Sequence, residues 1–128
     1  KLNLAADATD ATVFAYLEDI APDGSVTYVT EGMLRPMHRK VKDDAIYKTP
    51  YPDHTYNKTD ILPVVKNEMM ELEFDLLPIS YLFKAGHSVR ISIAGADAGH
   101  FNLPNPKPEN FTVQCGPLSY VSLPVVVK

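Results

Sequence analysis

The chain has 128 residues, which is enough for one domain with a hydrophobic core and too few for two. Its apolar content of 45% is ordinary for a globular protein, and no stretch approaches the roughly 20 apolar residues that a membrane span needs. The net charge of -4, with basic residues scattered along the chain, argues against a nucleic-acid partner.

The first third of the sequence predicts a strand followed by a β-hairpin. Leu2 and Leu4 fit the inward positions of a short strand at the start of the chain. Val13 to Leu17 is a continuous apolar run, which is typical of a central strand covered on both faces. A turn at Pro22-Asp23-Gly24 follows, and Ser25 to Thr30 is rich in Val, Thr and Tyr. We therefore expect the latter segment to return as the second strand of the hairpin.

Two alternating segments in the second half indicate the fold class. Met70 to Leu76 alternates apolar and acidic residues, and Ser88 to Ala94 repeats the alternation with Val89, Ile91 and Ile93 on one side. Each segment should have one buried and one solvated face, as antiparallel strands of a two-layer sandwich do. Before them, residues 36–60 form a long polar connection, and connections of this length usually have a function or a partner.

The remaining segments are short or rich in proline. Ile79 to Lys84 predicts a single helical turn that ends at Gly86. Leu103 to Glu109 holds three prolines in alternate positions and cannot be a central strand. Ser119 to Val127 predicts a last strand, at a sheet edge because of Pro124.

These elements predict an all-β fold, an antiparallel β-sandwich in which residues 1–128 form a single domain. The chain opens at Lys1 inside a predicted strand and without a signal peptide, so we expect it to be a fragment of a larger protein. Cys115 is alone, which excludes an internal disulfide framework and favours a reducing compartment such as the cytoplasm.

The usual catalytic and metal-binding patterns are missing from the sequence. There is no G-x-S-x-G motif, and none of the six serines lies between glycines. Asp7 and Asp10 are too few for a calcium site and fit a turn that bonds its own backbone. The histidines lack the spacing of a strand or helix metal site: His38, His54, His87 and His100. We therefore predict no catalytic residue, no metal site and no cofactor in this chain.

Tyrosines of the long connection are candidates for binding. Tyr47, Tyr51 and Tyr56 each combine a large apolar ring with a polar tip, so they could face another domain or a sugar. Packing of the connection onto its own sandwich explains them equally well, and the sequence leaves both interpretations open.

Several separated motifs occur in an order that resembles a known family. The motifs are Leu17-Glu18-Asp19, Pro22-Asp23-Gly24, Gly32 to Arg35, Phe83-Lys84-Ala85-Gly86-His87, Ile93-Ala94-Gly95-Ala96-Asp97 and the ending Ser119 to Val125. Together they closely resemble the C-terminal domain of the X-Pro dipeptidyl-peptidase and cocaine-esterase (CocE/NonD) hydrolases. The likeness covers nearly the whole chain.

The resemblance implies a jelly-roll-like sandwich, related to galactose-binding-type domains, that follows an α/β-hydrolase domain. That domain supplies the serine nucleophile, aspartate, histidine and oxyanion hole, so no catalytic residue is carried onto this chain. The expected role is an accessory one: the domain covers the hydrolase domain of the same polypeptide, shapes the substrate entrance and can contribute to a homo-oligomer. Family members usually have a further strand upstream of the segment matching Lys1 to Leu4, and its absence would leave an edge open to self-association.

Loops and strand ends supply the residues expected to contact the hydrolase domain, because function concentrates there on a rigid scaffold. They are Arg35, His38, Tyr47, Tyr51, Tyr56, His100 and Phe101. The alternative is a free-standing carbohydrate-binding sandwich, in which Tyr51 and Tyr56 would replace the missing tryptophan as stacking platforms. An enzyme in its own right is least favoured, because the nucleophile motif and the metal spacing are missing.

Overall fold

Two three-stranded antiparallel sheets build the fold. The structure, a computed structural model, describes residues 1–42, 49–102 and 104–126. Its strands are β1 (Leu2–Ala6), β2 (Val13–Ile20), β3 (Val26–Leu34), β4 (Met70–Leu72), β5 (Ser88–Ala94) and β6 (Phe111–Val113). One sheet has the order β4-β1-β6 and the other β3-β2-β5. Single 3-10 turns occur at Pro36–His38 and Lys58–Asp60. Within the described ranges, no helix has the length and hydrophobicity to cross a bilayer.

The core lies between the two sheets, and the alternation of the strands fills it. Val13 of β2 and Leu34 of β3 are paired in the ladder and point inward, where they join Leu4 of β1 and Leu72 of β4. All four side chains are almost completely buried. The all-β sandwich predicted from the sequence is therefore confirmed, as is the placement of Val13 to Leu17 in a central strand.

A β-bulge interrupts the hairpin of β2 and β3. Leu17 pairs with Thr30, whereas the next residue, Glu18, pairs with Tyr28, so Val29 is the extra residue. Without the bulge, Tyr28 and Glu31 would point to opposite faces, because they are three positions apart. With it, both lie on the outer face of the sheet, Glu31 opposite Tyr16 and Tyr28 opposite Glu18.

The inner face of β5 is only partly covered. Val89, Ile91 and Ile93 lie on one side, as predicted, opposite Asp19, Leu17 and Ala15 of β2. Val89 nevertheless remains 50% exposed and Ile93 38% exposed. The prediction of one buried face was therefore wrong for Val89 and Ile93, and β5 lies at the edge of its sheet.

The segment after β4 crosses from one sheet to the other. The sequence predicted a strand over Met70–Leu76, but β4 ends at Leu72. The chain then runs to β3, where the Leu77 N–H donates to the Glu31 carbonyl at 2.8 Å. Gly32 permits this approach: a Cβ there would lie 2.0 Å from the Asp75 carbonyl oxygen.

Two further predictions were wrong. Ile79 to Lys84 is not helical. The Tyr81 hydroxyl in this segment donates a 2.8 Å hydrogen bond to the Asp19 carboxylate of β2, and this contact holds the segment against the sheet. The described part of Ser119–Val127 contains no strand. Tyr120 exchanges two 2.9 Å backbone hydrogen bonds with Lys1. Val127 lies outside the described residues.

One short strand was not predicted. Phe111–Val113 forms β6 and pairs with β1, and its three residues favour a strand but are too few to show an alternation. Within Leu103–Glu109, residues 104–109 form no strand, as the alternate prolines predicted, and Leu103 lies outside the described residues.

Candidate functional site

A cleft opens on the outer face of the sheet formed by β3, β2 and β5. Its volume is about 440 Å³, which is within the range of ligand-binding clefts. Aromatic rings and carboxylates line it, and we call it the aromatic–acidic cleft. The lining residues are Tyr16, Tyr28, Glu31, Asp97, His100 and Phe101.

The hairpin supplies one wall of this cleft. Tyr16 of β2 and Glu31 of β3 are directly opposite each other, and the bulge brings Tyr28 to the same face. Beneath them Phe14 is fully buried, with its ring stacked on that of Tyr16 at a centroid distance of 6.3 Å. Phe101 covers Phe14 from the other side at 5.2 Å. The aromatic part of the wall is thus continuous from Tyr16 to Phe101.

Asp97 organises the turn that forms the other wall. Its carboxylate accepts hydrogen bonds from the Tyr16 hydroxyl at 3.0 Å, and it lies 3.0 Å from Nδ1 of His100. Its carbonyl accepts from the backbone N–H groups of His100 and Phe101. The His100 contact, helped by Tyr16, holds the pKa of Asp97 below its usual range, so this carboxylate is ionised at neutral pH.

The tyrosines of the cleft are held in their neutral form. Burial, the Asp97 acceptor and the nearby charge of Glu31 raise the pKa of Tyr16 to about 12. Burial and Glu31 also raise the pKa of Tyr28. Neither hydroxyl is therefore a base at neutral pH. The cleft presents rings, neutral hydroxyl groups and two carboxylates, which is a surface suited to a cation.

A second group of polar and aromatic residues lies in the connections after β1 and β3, and we call it the loop cluster. Arg35 forms a two-pronged ion pair with Asp10, with Nε 3.0 Å from Oδ1. The His38 and Tyr56 rings are 5.4 Å apart. His54 is buried, with Nδ1 3.1 Å from the Lys40 carbonyl and Nε2 2.9 Å from the Glu73 carbonyl. These contacts tie the long connection to the sandwich.

The residues predicted for interdomain contact fall into separate places. Arg35, His38 and Tyr56 belong to the loop cluster, and His100 and Phe101 line the aromatic–acidic cleft. Tyr51 is exposed, and its carbonyl accepts a 3.0 Å hydrogen bond from Thr49. Tyr47 lies outside the described residues.

Four residues of the cleft were missed from the sequence: Tyr16, Tyr28, Glu31 and Asp97. Tyr28 and Glu31 gave no signal, because the bulge that aligns them is invisible in the alternation pattern. Asp97 could have been suspected, since an Asp two residues before a Gly at a strand end commonly fixes a turn.

The histidine–aspartate pairs do not form part of a triad in the described residues. Asp19 is paired with His87 at 2.8 Å and Asp97 with His100 at 3.0 Å. Across residues 1–42, 49–102 and 104–126, no serine hydroxyl bonds either histidine, and no three His, Cys, Asp or Glu side chains could hold a metal ion together.

Comparison with known proteins gives a consistent result. The family model of the X-Pro dipeptidyl-peptidase C-terminal non-catalytic domain matches residues 1–116. Two curated proteins, one of Mycobacterium bovis and one of Mycobacterium tuberculosis, are each named "Putative serine esterase" and are 48% identical to the chain over 101 residues. The aligned part is 78% of this chain but 16% of each relative's length. No solved structure matches the chain.

Proposed function

Because the chain belongs to the family of X-Pro dipeptidyl-peptidase C-terminal non-catalytic domains, we propose that it is the accessory domain of a serine hydrolase. It packs against an α/β-hydrolase domain of the same polypeptide. That domain forms an acyl-enzyme and hydrolyses an ester or amide, or removes X-Pro dipeptides. The present domain covers part of the hydrolase domain and shapes the substrate entrance.

The family match over residues 1–116 is the observation that carries this proposal. The chain spans about a sixth of the length of the mycobacterial relatives, 16% in each case, which leaves room in proteins of that kind for a separate catalytic domain. The names of these relatives point to ester hydrolysis. The activity proposed for the parent of this chain rests on that likeness.

Exposed apolar surface supports a partner for the sandwich. Val26, Tyr28 and Met33 all lie on the outer face of β3, and all are exposed. The outer face of an antiparallel sandwich is ordinarily polar, because water covers it. Large apolar side chains in that position are typical of a surface that another part of the protein covers.

Interdomain contact is proposed for the seven residues selected from the sequence, in two regions. Tyr56 and His38 present aromatic edges from the loop cluster, and His100 and Phe101 do so from the aromatic–acidic cleft. Arg35 is already paired with Asp10, so any contact it makes must use the exposed part of its side chain. Tyr47 and Tyr51 complete the set.

The gene sequence upstream of the Lys1 codon tests the proposal directly. An open frame that encodes G-x-S-x-G, followed by Asp and His in hydrolase order, is the expected result. A fluorophosphonate probe should then label that serine in the full-length protein and none of the six serines of this chain. A start codon close to Lys1 with no hydrolase domain, or labelling within this chain, would overturn the proposal.

Carbohydrate binding is the second candidate function, and the aromatic–acidic cleft is the observation that favours it. Tyr28 offers an exposed ring beside two carboxylates, which resembles the mixture of stacking and hydrogen bonding that sugars need. Retention on a polysaccharide column that is lost on Tyr28→Ala would support this candidate. Passage of the native protein through such columns without delay would exclude it.

A further inference from the structure

Two glutamates on the outer face of the sheet have opposite surroundings. Glu18 accepts hydrogen bonds from Arg90, at 2.7 Å, and from Ser92. Glu31 stands nearby on the same face, and from the described residues its carboxylate receives no hydrogen bond and no ion pair. The negative charge of Glu31 instead acts on the hydroxyl groups of Tyr16 and Tyr28 and contributes to the raised pKa of both. Glu31 is therefore an uncompensated anion between two rings.

The rings around Glu31 add to its attraction for a cation. Tyr16 is held in the cleft by its hydrogen bond to Asp97 and by its stacking on Phe14. Tyr28 and Phe101 are both exposed at the rim. Ring faces carry negative potential, and a guanidinium or ammonium group between them gains both cation–π and ion-pair energy. Asp97 contributes a second ionised carboxylate at the far wall.

The surroundings of the cleft indicate a macromolecular occupant. The exposed row of Val26, Tyr28 and Met33 continues along β3 from the cleft. A free small cation would use the cleft and leave this row uncovered. A protein surface that carries one cationic side chain would cover the row and fill the cleft together, in the manner of a central anchor within an apolar contact.

We propose that the aromatic–acidic cleft receives a cationic side chain, a guanidinium or an ammonium group, from the hydrolase domain of the same polypeptide. The side chain lies between Tyr16 and Tyr28 and forms an ion pair with Glu31. This inference rests on the proposed function and adds the chemistry of the contact. The charge of Glu31, left open in the accessory domain, is neutralised across the interface.

Hydroxyl-radical footprinting of the full-length parent protein tests the inference. Tyr28 and Tyr120 are 55% and 54% exposed in this domain, and Tyr120 belongs to neither the cleft nor the proposed contact residues, so the two should be oxidised at similar rates if nothing covers Tyr28. With the cleft occupied, we expect Tyr28 to be oxidised about tenfold more slowly than Tyr120, which corresponds to a docking preference of about 1.4 kcal/mol. Equal rates for the two tyrosines would overturn the inference.

The Glu31→Gln variant of the parent tests the charge. It keeps the shape of the side chain and removes its anion, and we expect most of the protection of Tyr28 to be lost. Glu109→Gln is the matched control, because Glu109 is an exposed glutamate in a turn away from the cleft lining. If Tyr28 is protected equally in the native protein and in both variants, the domain docks without a cation and the inference is wrong.

Zero-length carbodiimide cross-linking identifies the kind of cation. An amide between Glu31 or Asp97 and a lysine of the hydrolase domain would show an ammonium group. If Glu31→Gln removes the protection of Tyr28 but the native protein gives no cross-link, the cation is a guanidinium group, which does not form this amide. Failure of the proposed function has a different result. If footprinting of the parent shows no protected residue anywhere in this domain, the domain does not pack on the hydrolase domain. If other residues are protected while Tyr28 remains exposed, only the present inference is contradicted.

Discussion

Arg35 and Asp10 are joined by two parallel hydrogen bonds, one from Nε to Oδ1 at 3.0 Å and one from Nη2 to Oδ2. Asp10 is buried in the connection between β1 and β2, and Arg35 directly follows β3. The pair thus links the two sheets through residues that lie outside both. It also means that Arg35 has a partner inside the domain before any second domain approaches.

Arg35→Ala should lower the free energy of unfolding of the parent's accessory domain by about 1–2 kcal/mol, because it leaves the Asp10 carboxylate buried without its cation. Arg35→Lys should recover only part of this free energy, since an ammonium group cannot form the two parallel hydrogen bonds that a guanidinium makes to both carboxylate oxygens. Arg90→Ala is the matched control: the Arg90 side chain is equally exposed, 48% against 47%, but its partner Glu18 keeps a hydrogen bond from Ser92 when Arg90 is removed. Urea unfolding measures all three variants.

The same substitution tests the interdomain role proposed for Arg35. If Arg35 also contacts the hydrolase domain, Arg35→Ala should weaken docking, as limited proteolysis between the domains would show. A full-length variant with unchanged stability and unchanged activity would contradict both roles. Lower stability with unchanged docking would leave the pair with Asp10 as its only function.

Acid should destabilise the domain through Asp10. The hydrogen bond from Arg35 lowers the pKa of this carboxyl against the opposing effect of burial. A lowered pKa gives stability that is complete above the unfolded value of about 3.9 and is lost as the pH falls through the folded value. The free energy of unfolding should therefore decrease below about pH 4, and Asp10→Asn should flatten this decrease. A curve unchanged by Asp10→Asn would assign the acid sensitivity to other carboxylates.

His54→Ala should destabilise the domain by about 2–3 kcal/mol, because the ring nitrogens that face the Lys40 and Glu73 carbonyls disappear and a cavity remains. His100→Ala serves as the control, since His100 is exposed, and should change stability by less than about 0.5 kcal/mol. Thermal unfolding followed by circular dichroism gives both values. Equal losses of stability for the two substitutions would show that His54 does not anchor the long connection to the sandwich.

Gly32→Ala should be among the most damaging single-methyl changes in the chain. The added Cβ would lie 2.0 Å from the Asp75 carbonyl oxygen, so the segment that crosses to β3 must move away. We expect a loss of about 3 kcal/mol or more. Gly24→Ala is the control: its φ of +83° costs about 1–2 kcal/mol, but nothing lies within 4 Å of the new methyl group. A smaller loss for Gly32→Ala than for Gly24→Ala would mean that the crossing segment is loosely held.

The isolated chain should self-associate at high concentration. β5 is an edge strand whose inner side chains Val89 and Ile93 remain exposed, and such an edge can pair with another copy. Val89→Lys should reduce association, because a charge on an edge strand opposes pairing. Light scattering that shows a clean monomer of the native chain at high concentration would contradict this prediction.

Much of the sandwich could be predicted from local patterns, and the departures have identifiable causes. β2 and β5 were found because their alternation or apolar run is long enough to show a period. β4 ends early because Gly32, which is about 40 positions away in the chain, leaves room for the crossing segment beside β3. Ile79 to Lys84 was predicted as a helical turn, but the Tyr81 hydroxyl within it bonds the buried Asp19 carboxylate of β2. Both effects depend on contacts that are distant in sequence.

The candidate site was predicted only in part. His100 and Phe101 were selected because they follow a strand, and that reasoning needs no tertiary information. Tyr28 and Glu31 could not be paired from the sequence, because a period of two assigns them to opposite faces. Their partnership with Tyr16 depends on the extra residue in β3.

That extra residue, Val29, determines which side chains meet in the cleft although it is not one of them. Its side chain is buried, so it touches no ligand and lines no wall. Because the bulge turns Tyr28 to the same face as Tyr16 and Glu31, removing the extra residue would take the Tyr28 ring out of the cleft. The chemistry of the cleft thus depends on a backbone feature that substitution of the lining residues alone would not reveal.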